Sequence, residues 1–412
     1  MTAPTPAVRD RALGLAPAEL PAYLYDLSAL DAHAAAVRAA LPRQVELYYA
    51  AKANPEPEIL TALGPHVDGY EVSSGGELAH VAAAVTGRPL AFGGPGKTPD
   101  EITAALELGV ERFHVESAYE LRMLAAVAAR VVPHARVGVL LRFNLDLGAE
   151  SLAGSSLAMG GRPTPFGIDP GEADSAVAGF AEGGFPQLQL LGVHAHLASG
   201  LDAPRQLAVA GSIVTWSQAL ARRHGIRLPE VNVGGGMGVD YAEPGARFDW
   251  AAYGDGLAGL CAAHPGLTLR IEPGRALTAY CGWYATEVLD VKQSHGEEFA
   301  VVRGGTHHLR TPAAKGHDQP CTVLPAREPW PHPWPRSEAR QDRVTFAGQL
   351  CTPKDVLSRR VAVAGLRAGD RVVFAMAGAY AWNISHHDFL MHPRPGFHFL
   401  RPPAVSAPPS PC

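Results

Sequence analysis

Val45-Glu46-Leu47-Tyr48-Tyr49-Ala50-Ala51-Lys52-Ala53-Asn54-Pro55 is a mostly apolar run that ends by delivering one lysine to a turn. Val45 to Ala50 has the length and apolar character of a buried strand, and Asn54-Pro55 stops it. The C-terminal end of a strand is where barrel enzymes hold catalytic groups. A lysine amine there can form a Schiff base with an aldehyde cofactor. The same pattern describes an ordinary solvated strand end, so its meaning depends on what surrounds it.

Outward from this strand, apolar runs and Ala-rich helical stretches alternate from about Ser28 to Arg275. The strands are expected at Val45 to Ala50, Gly69 to Val72, Leu90 to Phe92, Arg112 to Val115, Val137 to Phe143, Leu188 to His196, Glu230 to Val233 and Thr268 to Glu272. Helical stretches lie between them, among them Asp31 to Ala40, Gly76 to Val85, Ala118 to Ala129 and Pro204 to His224. Parallel strands need helical crossovers, so eight strands in this arrangement predict a (β/α)8 TIM-like barrel over 28–275, with a doubly wound open sheet as the alternative. Beyond it the texture changes to short strands at Val288 to Val291, Phe299 to Val302, Val344 to Phe346 and Arg371 to Ala375, separated by turn-rich loops. That predicts a C-terminal all-β domain over 276–400, joined by the N-terminal strand at 20–27. Gly304 to Arg343 reads as a long excursion, and 401–412 as a loosely attached Pro-rich tail.

At 412 residues the chain can bury a large core and exceeds one usual domain. Its 35 Lys and Arg against 40 Asp and Glu leave no basic stripe for nucleic acid. The first twenty residues lack a continuous apolar stretch, so neither a signal peptide nor a membrane span is expected, and the cytoplasm is the expected compartment. Five cysteines, Cys261, Cys281, Cys321, Cys351 and Cys412, form no CxxC pair, against a disulfide framework or structural zinc.

Three further segments could carry chemistry. Gly234-Gly235-Gly236-Met237-Gly238 follows a strand, and glycines let backbone N–H groups approach a phosphate, with a helix N-terminus adding a favourable dipole; a plain Gly-rich turn is the alternative. Glu272-Pro273-Gly274-Arg275 ends another strand. Its carboxylate could keep a pyridine nitrogen protonated and its guanidinium could neutralise a phosphate, or both could be solvated turn residues. In Gly192-Val193-His194-Ala195-His196, period-two alternation puts both imidazoles on one face. No third ligand stands at metal spacing nearby, so no metal is expected.

The order of Lys52, His196, the glycine run, Glu272-Pro273-Gly274-Arg275, Cys351 and Gly378-Ala379-Tyr380 resembles the fold-type III pyridoxal phosphate decarboxylases, relatives of ornithine and diaminopimelate decarboxylase and more distantly of alanine racemase. The resemblance spans about Ala22 to Pro395. It implies pyridoxal 5'-phosphate bound by Lys52, Glu71, Arg142, His196, Ser199, Gly234, Gly235, Gly236, Glu272, Gly274, Arg275 and Tyr380. In it His196 stacks on the pyridine ring, while Glu71 and Arg142 lie on the cofactor side. Ser199 and Tyr380 contact the phosphate. Cys351 matches a cysteine donated by the second subunit to handle the proton at Cα, which implies a homodimer with shared active sites.

The chain departs from its better-known relatives around the substrate. Where ornithine-type and diaminopimelate-type enzymes place an acid immediately after the cysteine, this chain has Thr352. The diaminopimelate enzymes also place an arginine directly before a proline matching Pro312; here Arg310 stands one residue earlier, which in extended chain turns it to the other face. In exchange come Thr306-His307-His308-Leu309-Arg310 and Asn383-Ile384-Ser385-His386-His387-Asp388. These strings resemble the subgroup serving siderophore assembly, which decarboxylates an amino acid or a citryl-amino acid conjugate. Imidazoles and Arg310 suit carboxylates better than an ammonium, whereas surface histidines on an ordinary loop are the plain alternative. The expected activity is thus a carboxy-lyase with His307, His308, Arg310, Thr352, Asn383, His386 and His387 toward the substrate. The alternatives are a diaminopimelate, ornithine or lysine decarboxylase, an amino acid racemase, and a catalytically inactive regulatory homologue.

Overall fold

A computed structural model describes residues 3–148, 157–181 and 183–401. The Pro-rich tail expected at 401–412 lies, after its first residue, outside the described residues. The chain divides into two compact units, one of 33–240 and 245–278, the other of 1–32, 241–244 and 279–412. Among the described residues no helix is long and apolar enough to cross a membrane.

The strands in chain order are β1 (Ala22–Asp26), β2 (Val45–Ala50), β3 (Gly69–Val72), β4 (Leu90–Phe92), β5 (Arg112–Val115), β6 (Val137–Arg142), β7 (Leu157–Ala158), β8 (Leu188–His194), β9 (Ala198–Ser199), β10 (Glu230–Asn232) and β11 (Thr268–Ile271). Eight of them, β2 to β6 with β8, β10 and β11, close into one parallel barrel. β11 pairs with β2 through Leu269 opposite Val45, and β8 with β10 through Gly192 opposite Glu230. Closure excludes the doubly wound alternative. β7 and β9 form a separate two-stranded ribbon.

Gly192 sits where β8 carries an extra residue against β6, Leu190 facing Val139 but Gly192 facing Leu140. A Cβ there would stand 1.7 Å from the Glu230 carbonyl oxygen, so only glycine lets β10 pair at this bulge. Helices start where the sequence supplies caps. Ser74 and Ser117, just beyond β3 and β5, accept from the backbone N–H of Glu77 and Glu120, and Thr98 forms a capping box with Glu101. Gly225, in the left-handed region at φ 60°, ends the long helix Ala203–His224.

The second unit continues with β12 (Gly282–Ser294), β13 (Glu297–Val302), β14 (Cys321–Leu324), β15 (Arg343–Ala347), β16 (Val356–Ala362), β17 (Arg371–Phe374) and β18 (Gly396–Leu400). They form one sheet in the order β14-β17-β12-β13-β15-β16, with β1 pairing antiparallel with β12 and parallel with β18. Tyr23 stacks on Phe397 at 5.6 Å and Tyr25 on Phe399 at 5.3 Å, so register-matched aromatic pairs fix β18 against β1. The excursion expected over 304–343 is partly structured: it contains the helix Thr311–Lys315 and β14.

Candidate active site

Lys52 lies on the 3₁₀ turn Ala51–Ala53 immediately after β2, with its side chain 45% exposed. Its Nζ meets Glu71 Oε2 at 2.5 Å, and Ser73 Oγ donates to the other Glu71 oxygen at 2.8 Å. Burial pushes the Glu71 carboxyl up, but the Lys52 charge and the hydrogen bonds from Lys52 and Ser73 outweigh it and hold it below its ordinary value. An ammonium presented from a strand end and held by a buried carboxylate is thereby oriented without being desolvated.

The glycine run is a tight crossing. Gly234 and Gly236 take φ of +69° and +104°. A Cβ on Gly235 would stand 2.4 Å from the Glu272 carbonyl oxygen, and one on Gly236 2.2 Å from that of Ala198. A Cβ on Gly234 would press on the His196 side chain at 2.8 Å. The run therefore lies close against the segments carrying Glu272, Ser199 and His196. One expectation is corrected: the next helix described after the run is Trp250–Ala263, so no helix N-terminus follows the glycines directly. Any anion at this loop is met by backbone N–H groups rather than by a helix dipole. Gly274 and Arg275 open a four-residue helical turn, Arg275–Thr278, with Arg275 partly exposed.

Glu272 is buried and accepts a hydrogen bond of 2.6 Å from Asn232 Nδ2. Burial, then the charge of Glu71, push its carboxyl up to about 7. His196 moves the other way: burial, then Arg142 and Lys52, lower its imidazole to about 3, so the ring is neutral; among the described residues its buried Nδ1 has no hydrogen-bond partner. Arg142, at the end of β6, is buried and donates to Glu116 Oε1 at 2.7 Å.

Sequence spacing offered no third metal ligand beside His194 and His196. In space His114 and Glu272 join His194, their ligand atoms within 4.8 Å of one another, and each histidine Nε2 lies 3.7 Å from a Glu272 oxygen. Those separations exceed the edge of a tetrahedral zinc shell, about 3.3 Å for bonds near 2.0 Å. His114, Asn232, Ser73 and Glu116 are neighbours that motif reading missed. The available signal was a polar residue at or just past the C-terminal end of a barrel strand.

The residues expected in the β domain gather in their own unit. Asp355 accepts from Thr306 N at 2.6 Å and from Leu350 N at 2.8 Å, tying the 304–310 loop to the Cys351 loop. Cys351 is exposed and Thr352 partly so. His307 and His308 are not surface histidines: both are buried, their rings 4.0 Å apart, with His308 Nδ1 3.0 Å from the Tyr284 hydroxyl. Arg310 caps the helix Thr311–Lys315 at φ −79°, ψ −17°, so the extended-chain argument for its facing does not hold. Its Nη1 lies 2.9 Å from His386 Nδ1, and His387 stacks on Trp382 at 4.1 Å. Thr311 Oγ1 donates to the carbonyl of Tyr380, whose backbone is left-handed at φ 49°. Asn383 lies on the adjoining turn Trp382–Ile384.

The raised Glu272 value carries a sign that can be tested. Between its ordinary value of 4.5 and about 7 the folded chain holds a proton that the unfolded chain releases, so stability falls as pH rises through this window. Glu272→Gln should stabilise the cofactor-free protein against urea at pH 8 and much less at pH 5, where the carboxyl is already protonated. An equal difference at both pH values contradicts the raised value.

Residues 27–279 match the family described as pyridoxal-dependent decarboxylase, pyridoxal binding domain. Over 381 residues the chain is 38% identical to the 2-((L-alanin-3-ylcarbamoyl)methyl)-2-hydroxybutanedioate decarboxylase of Staphylococcus aureus, covering 92% of this chain and 93% of that one. It is 31% identical to the L-glutamyl-(BtrI acyl-carrier protein) decarboxylase of Niallia circulans, covering 92% and 88%. Diaminopimelate decarboxylase from Helicobacter pylori, solved in complex with L-lysine, superposes with a TM-score of 0.76 at 25% identity, over 89% of this chain and 88% of that one. The chain belongs to the pyridoxal-dependent decarboxylase family, and it is a carboxy-lyase that uses pyridoxal 5'-phosphate.

Proposed function

We propose that this decarboxylase acts in siderophore biosynthesis on an amino acid whose side chain is acylated by citrate or a similar polyacid. The observation that carries the reading is Arg310: exposed, it has an imidazole, His386, as its hydrogen-bond partner and no carboxylate partner among the described residues. A cation left in that state suits a substrate carboxylate. Thr352, standing where relatives of the diamino acid type carry an acid, supports the same conclusion, because an incoming ammonium would have no counter-charge there. The name of the staphylococcal relative describes a citrate amide of 3-aminoalanine, which is a substrate of this class.

The barrel residues fit the cofactor. A crossing of glycines that no Cβ could occupy, a buried carboxylate without a paired cation and an exposed lysine amine are what a phosphorylated pyridine aldehyde requires. In this reading Lys52 supplies the amine for the aldehyde, and the backbone of Gly234 to Gly236 with Ser199 and Arg275 holds the phosphate. Bound there, the cofactor supplies an electron sink for the pair released when the α-carboxylate leaves. Glu272 holds a proton at the ring nitrogen, and neutral His196 covers the ring without adding charge. Glu71 orients the Lys52 amine, while Arg142, fixed by Glu116, presents a rigid cation on the cofactor side.

The active form in this reading is a cytoplasmic homodimer in which Cys351 serves the site of the other subunit, handling the proton at Cα. Cys351 is exposed, as such a role requires. Phe389, Leu390 and Met391 are also exposed, Met391 at 90%, a run that an isolated surface seldom retains.

Mixing the inactive variants Lys52→Ala and Cys351→Ala under subunit exchange is expected to restore up to about a quarter of the activity, since one dimer arrangement rebuilds one good site. No recovery despite proven exchange means that both residues act within one chain. For the substrate, a citryl-amino acid conjugate is expected to outperform free ornithine, lysine and diaminopimelate in kcat/KM, and Arg310→Glu to raise KM mainly. A preference of about tenfold or more for a free diamino acid refutes the siderophore reading.

A further inference from the structure

Three side chains crowd the Glu272 carboxylate, and none is a cation by design. Asn232 donates to Oε1; His114 Nε2 and His194 Nε2 stand 3.7 Å from Oε1 and Oε2. Both imidazoles are buried, with ring centroids 4.3 Å apart. Among the described residues neither nitrogen of His194 has a hydrogen-bond partner, whereas His114 Nε2 lies 3.4 Å from Asn232 Nδ2, which can only donate, so that nitrogen is an acceptor. Unpartnered buried polar atoms are costly, and apolar residues usually fill barrel interiors. Such a histidine at the end of β8 needs a reason.

The neighbouring charges are already matched. Lys52 pairs with Glu71, Arg142 with Glu116, Lys97 with Glu120, and Arg270 with Glu46 and Glu230. Among the described residues Glu272 has no lysine or arginine partner. An ionised carboxylate facing a ring nitrogen still needs donors for its other lone pairs. A lysine or arginine in that place would neutralise it and release the ring proton, and water would screen the pair.

We infer that His194 is a positioning residue for Glu272: a neutral N–H donor that fixes and solvates its carboxylate without competing for the proton it shares with the cofactor. The inference rests on the assignment of Glu272 to the pyridine nitrogen. The His194 ring has to close by under an ångström to reach hydrogen-bond distance. Burial suits the role, since it holds this imidazole well below 6.5 and so keeps it uncharged.

The test uses the cofactor-free full chain and two readouts. The Glu272 carboxyl is titrated by infrared spectroscopy, its band identified by loss in Glu272→Gln, and pyridoxal phosphate affinity is followed by quenching of tryptophan fluorescence. His194→Leu removes the donor. It should raise the carboxyl midpoint by about one pH unit and weaken cofactor binding about tenfold. His194→Gln, which keeps a neutral donor, should stay near wild type in both, and it serves as the deciding variant if the leucine form does not fold. A His194→Gln chain with a shifted midpoint overturns the inference, as does a His194→Leu chain that loses thermal stability with an unmoved midpoint. A wild-type chain that takes up no pyridoxal phosphate at all is a distinct result: it removes the cofactor assignment, and this inference with it.

Discussion

A carboxylate buried without a cation is the constraint on which the rest of this site turns. Glu272 sits one residue beyond a barrel strand, where desolvation favours its neutral form and the cations that act on it, Lys52 and Arg270, are paired with Glu71 and with Glu46 and Glu230. Such a group is costly to an empty fold and valuable to one that receives a cationic ring nitrogen, because the pairing strengthens where water is excluded. The surrounding structure keeps it in that state. The glycine crossing lies within a Cβ's reach of its backbone, and Asn232 binds its side chain.

The ion pairs at the strand ends follow the same logic. Lys52–Glu71 and Arg142–Glu116 each join residues from different barrel strands or their loops, and Lys97–Glu120 joins the loop after β4 to the first turn of the helix Ala118–Val131, so each pair fixes the relative position of two segments. Lys97 also donates to the carbonyls of Gly94 and His114, which ties the loop after β4 to the strand that carries His114. Among the described residues Glu272 stands apart from these pairs, with no lysine or arginine partner, while the half-exposed Lys52 amine is held by Glu71.

Most of this architecture was legible in the chain. All eight barrel strands begin where the apolar runs begin, because fully buried parallel strands are continuous apolar segments bounded by turn residues. β14, β16 and β18 were missed for physical reasons. β14 is four residues inside a Pro-rich excursion, β16 carries Arg359 and Arg360 mid-strand, and β18 follows a proline and owes its place to pairing with β1. Lys52, Glu272, Arg275 and the glycine run were readable as motifs. His114 and Asn232 were not, since their relation to Glu272 exists only after β5, β10 and β11 close into one barrel. The same limit explains the errors: whether a helix follows the glycines, and whether Arg310 lies in extended or helical backbone, are set by tertiary packing that spacing does not encode.

Glu272, buried and with no lysine or arginine partner among the described residues, is expected to keep the ring nitrogen of the bound cofactor protonated. This is tested most directly by the nitrogen-15 chemical shift of isotopically labelled pyridoxal phosphate bound to the intact enzyme, recorded from about pH 6 to 9, well above the range where a free carboxyl would titrate. A shift in the protonated range throughout, lost in Glu272→Gln, is the predicted result. An unprotonated ring nitrogen in the wild-type enzyme at neutral pH would contradict the account.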